Sequence, residues 1–100
     1  MNTVALVVKM VAKEGMQDEV ASFLSGAVDL ANAEPGTKVW FALRTDDRTF
    51  WIVDAFPGEA ERKAHLDGPI AAALMANADR LLAEAPSIQP ADVLASKVTA

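Results

Sequence analysis

A chain of 100 residues builds one core of modest size, and 52% hydrophobic against 23% charged residues is more apolar material than a small monomer needs inside, which suggests association. The net charge of −5, with no cluster of Lys or Arg, excludes nucleic acid and other polyanionic partners, and the lack of cysteine excludes disulfides, thiolate nucleophiles, iron–sulfur clusters and cysteine-based zinc sites. No apolar run approaches the roughly 20 residues needed to span a bilayer, and Met1–Val11 carries neither a basic start nor a small-residue cleavage site, so the expectation is a cytoplasmic protein that does not enter membranes.

Thr3–Lys13 puts Val4, Leu6, Val8 and Met10 on one parity and Ala5, Val7, Lys9 and Val11 on the other, a strand apolar enough for both of its faces to be covered. Glu14-Gly15 breaks it. Val20, Phe23, Leu24, Ala27, Val28 and Ala31 then recur at helical spacing, which predicts a helix over about Met16–Ala33. Asp18 and Glu19 suit its first turn, and Glu34-Pro35-Gly36 supplies the stop. Lys38–Arg44 and Thr49–Phe56 flank a polar turn and read as a hairpin. With Asp46 and Asp47 at its tip, Val39 faces Asp54 and Phe41 faces Ile52. One face then holds Val39, Phe41, Leu43, Phe50, Ile52, Asp54 and Phe56, and the other Trp40, Ala42, Trp51, Val53 and Ala55. A one-residue shift at the loop would exchange opposing partners but not the alternation within each strand.

Pro57-Gly58 opens a helix over Glu59–Leu66, with acids near its start and Arg62, Lys63 and His65 near its end. Asp67-Gly68-Pro69 interrupts it and starts another helix, Asp67 as its cap, with Ile70, Leu74, Ala78, Leu81 and Leu82 on one face and Ala85-Pro86 as its stop. Ser87–Thr99 closes the chain with Ile88 and a last strand over Asp92–Val98. The order β-α-β-β-α-β defines an α+β, ferredoxin-like antiparallel sheet with its helices on one face. The other sheet face, carrying Trp40, Trp51 and Val53, is then best covered by a second copy of the chain, as a homodimer.

Chemistry concentrates in Thr49–Leu66. Asp54 is an acid inside an apolar strand, which costs free energy if buried unpaired, and His65 is the only histidine, titrating where proton transfer at neutral pH needs it. The pair reads as general base and orienting acid. It reads equally as structure, with His65 on the last carbonyls of its helix and Asp54 accepting backbone hydrogen bonds or pairing with Arg62. Arg44 pairs with Asp46 or binds an anion.

These residues resemble the antibiotic biosynthesis monooxygenase domain of the dimeric α/β-barrel superfamily, over nearly the whole chain, so that residues 1–100 read as one such domain. The resemblance is carried by the opening VVKMVAKEGMQDEVASFL and by Asp54, Phe56, Glu59-Ala60 and His65-Leu66. Many members carry a second histidine where Ile70 stands here. The resemblance implies cofactor-free oxygenation of a small aromatic phenol or quinol in a pocket between sheet and helices, with no metal. It makes His65 and Asp54 catalytic and gives the pocket walls Phe41, Leu43, Ile52, Phe56, Leu66, Ile70 and Met75. The dimer interface falls to Trp40, Trp51 and Val53. Two other functions suit the same fold: a non-catalytic dimer that binds a small ligand or serves assembly, and an oxygen-independent isomerase or decarboxylase.

Overall fold

The computed structural model describes residues 1–99. Its elements are β1 (Val4–Val11), α1 (Gln17–Asn32), β2 (Val39–Arg44), β3 (Thr49–Phe56), α2 (Glu59–Leu66), α3 (Pro69–Leu81) and β4 (Ser87–Asp92). The strands form one antiparallel sheet in the order β2-β3-β1-β4, the ferredoxin-like arrangement expected. Leu6, Val8 and Met10 of β1 stand opposite Asp54, Ile52 and Phe50 of β3. On this face they meet Val20 and Leu24 of α1 and Leu74 and Ala78 of α3, which builds the buried core.

The hairpin register differs from the two-residue tip the sequence suggests. Thr45 N–H donates to Thr49 O, so three residues, Asp46–Arg48, make the loop. Asp46 holds it closed: its Oδ1 accepts from the backbone N–H of Arg48 and Thr49 at 3.0 and 2.9 Å. The extra loop residue slides β2 by one position, pairing Trp40 with Asp54, Phe41 with Val53 and Leu43 with Trp51. Phe41 and Leu43 therefore lie on the open face, 56% and 46% exposed, not among the pocket walls. Trp40 turns to the helix side and packs against the core, which corrects its assignment to the outer face; Trp51 and Val53 remain on the open face.

The end of the chain also differs. β4 is Ser87–Asp92, not Asp92–Val98, because it is templated by β1, whose first residue, Val4, stands opposite Asp92. Val93 N–H adds one bond to Thr3 O, and beyond it β1 has no further partner to offer. Asp67 does not cap α3. It ends α2 and pairs with Lys63 at 2.7 Å, while Gly68 takes the N-cap position and Pro69 opens α3.

Candidate active site

β3 and α2 do bring Asp54 and His65 together. The strand alternation turns Asp54 to the helix side, and one turn of loop returns α2 across it, so that His65 Nε2 lies 3.0 Å from Asp54 Oδ2. Both side chains are buried. The contact is an ion-pair approach: neither Asp54 oxygen accepts a well-aligned hydrogen bond among the described residues. Phe56, the next residue of the same parity, packs its ring 5.2 Å from the imidazole at a 43° tilt.

The other imidazole nitrogen meets a residue the sequence reading did not single out. Glu34 Oε1 lies 2.6 Å from His65 Nδ1, and Thr37 Oγ1–H donates to the same oxygen at 2.7 Å. His65 is thus a bridge between two carboxylates, one on β3 and one on the segment joining α1 to β2. In the sequence, Glu34 reads as part of the helix stop Glu34-Pro35-Gly36. A signal was present all the same: an acid just past the C-terminal end of α1, whose last turn holds no basic residue, sits against an unfavourable dipole and needs a cation from elsewhere. The N-terminus of α3 adds favourable dipole on the other side. A methyl group at Gly68, its N-cap, would come within 3.2 Å of Glu34 Oε2, so the absence of a side chain there lets the carboxylate and the helix end approach.

Burial is the largest single influence on His65 and favours the neutral ring, but the carboxylates of Asp54 and Glu34, one close to each ring nitrogen, together outweigh it and raise the imidazole pKa above its ordinary value. The consequence is a histidine that keeps its proton more strongly than usual and, once deprotonated, is a stronger base than a free imidazole.

His65 and Glu34 border an open cleft of about 350 Å³, walled by Ala33, Pro35, Ala60 and Ala64, with Glu61 also on its lining. That size falls within the range of small-molecule sites. Asp54 lies behind the imidazole and lines none of the described clefts. The other wall residues disperse. Ile52 is in the core, Ile70 lies under α1 beside Phe23 and Ala27, Leu66 is exposed, and Met75 opens onto a separate surface cleft with Lys13 and Asp79. Of these, Phe56 is the one whose ring packs on the imidazole. Arg62 does not pair with Asp54. It bonds Glu59 at 2.5 Å and donates to the carbonyls of Ala5 and Ala91, tying α2 to β1 and β4. Arg44 bonds Asp47 rather than Asp46. Among the described residues no group of three His, Cys, Asp or Glu side chains is placed to hold a metal ion, and no helix is long and apolar enough to cross a membrane.

The fold is that of the antibiotic biosynthesis monooxygenase domain. Two solved structures named as candidate members share it. One is from Chloroflexus aurantiacus, 22% identical with a TM-score of 0.74, the match covering 96% of this chain and 97% of that one. The other is from Nitrosomonas europaea, 15% identical with a TM-score of 0.81 over 92% and 90% of the two chains. A different Nitrosomonas europaea protein, of unknown function, is 51% identical with a TM-score of 0.97, over 100% of this chain and 97% of that one; the chain belongs to the same family as that protein. No family model matches the chain, and no curated protein does.

Proposed function

We propose that the protein is a homodimeric, cofactor-independent monooxygenase acting on a small aromatic phenol or quinol, with the cleft beside His65 as its ligand site. The observation that carries this reading is an imidazole bordering a ligand-sized cleft with its basicity raised by two carboxylates. A phenol ionises near pH 10, so a base stronger than ordinary imidazole is better matched to its proton. In the reaction so framed, His65 in its neutral form takes the phenol proton, through Glu34 Oε1 or directly. The phenolate then passes electrons to dioxygen: one oxygen atom enters the ring to give the quinone, and the other leaves as water with two substrate hydrogens. Asp54 is a positioning residue that holds the ring from behind. The names of the structures sharing the fold point to the same oxygenase class.

The test is oxygen uptake with a panel of phenols and hydroquinones. His65→Gln is expected to lower the rate by about 10²–10⁴-fold, the share of a general base, and the wild-type rate is expected to rise with pH through the imidazole pKa. Equal rates in both proteins, or no uptake with any ring, would remove the oxygenase reading.

One observation favours a second reading, a non-catalytic ligand-binding dimer. Both imidazole nitrogens are engaged by carboxylates, so the bridge already has a structural use in joining three segments of chain. Tight binding of a phenol without oxygen uptake would select it.

A further inference from the structure

The lining of the cleft holds two carboxylates, Glu34 and Glu61, one imidazole, and no lysine or arginine. The basic residues of α2 are committed elsewhere, Arg62 to Glu59 and the carbonyls of Ala5 and Ala91, and Lys63 to Asp67. Even with His65 charged, negative charge is in excess, and Asp54 stands immediately behind the ring to add to it. The stem of Glu61 lies over Gly36, its Cβ and Cγ 3.1 and 3.0 Å from where a side chain on Gly36 would begin, and both residues line the cleft. The rest of the wall is small and mostly apolar, from Ala33, Pro35, Gly36, Ala60 and Ala64, and its one hydroxyl, on Thr37, donates to Glu34. A ligand suited to these surroundings has an apolar body and a positive end.

We infer that the cleft selects its ring by charge, taking a phenol that bears an amine and rejecting one that bears a carboxylate. The inference rests on the cleft being the ligand site, and it names the substrate class of that site. An ammonium group reaching Glu61 gains a charge-assisted contact, whereas a carboxylate on the same ring meets like charge on two sides.

Three rings of matched size separate the cases: tyramine, 4-ethylphenol and 4-hydroxyphenylacetate, titrated calorimetrically into the wild-type protein and into Glu61→Gln at neutral pH. The expected order is tyramine tightest and 4-hydroxyphenylacetate weakest, about tenfold or more apart, the size of one hydrogen-bonded charge contact. Glu61→Gln is expected to shrink that gap severalfold, weakening tyramine and strengthening 4-hydroxyphenylacetate, with 4-ethylphenol the least changed of the three. Equal affinities, a tighter carboxylate, or a gap unaltered in Glu61→Gln would overturn the charge selection. No binding of any of the three would remove the ligand site and the selection together. The expected order without oxygen uptake would sustain the selection and overturn the oxygenase reading alone.

Discussion

His65 binds a proton more readily in the folded chain than in the unfolded one, because Glu34 and Asp54 outweigh the burial that opposes its charge. By linkage, a group whose folded pKa is raised adds stability that is complete below its unfolded value, near 6.5, and is lost as pH rises through the folded value. The melting temperature is therefore expected to fall as pH is raised from about 6 through the alkaline side of neutrality, and this slope is expected to disappear in His65→Gln. Asp54→Asn removes one of the two charges, so an NMR titration of the imidazole is expected to show its pKa moving down towards the ordinary value. A flat melting profile in the wild-type protein, or the same slope in His65→Gln, would show that the bridge carries no such linkage. Part of this site could be read from residue types alone. Asp54 was visible as an acid in an apolar strand and His65 as the only imidazole. Glu34 was hidden because Glu-Pro-Gly has a complete local explanation as a helix stop, and only the dipole at the end of α1 argued that its charge needed a distant partner.

At the level of elements, the alternation within β1 and β3 and the spacing along α1 and α3 were legible, since each buries one face against the same core. What one strand opposes on another was not, because that depends on loop length: three residues rather than two between Thr45 and Thr49 move Trp40 across the sheet. The last strand was misplaced for a related reason. Ser87–Asp92 contains Pro90, and its apolar pattern is weaker than that of the tail, yet pairing with β1 decides the matter. The register has a direct test in stability. Trp40→Ala is expected to cost roughly 2 kcal/mol or more at every protein concentration, because it removes a side chain packed on the core. Phe41→Ala, one residue away, is expected to lose only stability that depends on concentration, through association. Urea unfolding of both at two concentrations checks this, and equal, concentration-independent losses would contradict the face assignments.

For the molecule as a whole, the open face of the sheet is the surface the three helices leave uncovered. Val7, Val39, Phe41, Leu43, Trp51 and Val53 stand there together, with Lys9 placing its ammonium 5.8 Å from the centre of the Trp51 ring. Exposed apolar side chains gathered on one flat sheet face differ from single exposed residues, which any protein tolerates. A two-fold arrangement lets each copy cover the other with the same residues, and a stable interface needs about 800 Å² per partner, an area that a four-stranded face of this size can supply. The proposed homodimer therefore depends on Phe41 and Leu43, the most exposed large side chains on that face, and not on Trp40. Sedimentation velocity at micromolar concentration is expected to show a dimer for the wild-type chain and a monomer for Phe41→Glu with Leu43→Glu, since each copy would bring two carboxylates into an apolar contact. The helical content is expected to stay intact, because neither side chain reaches the core. A wild-type monomer would overturn the homodimer, a dimer that persists in the double variant would place its interface elsewhere, and either would leave the apolar face without its partner.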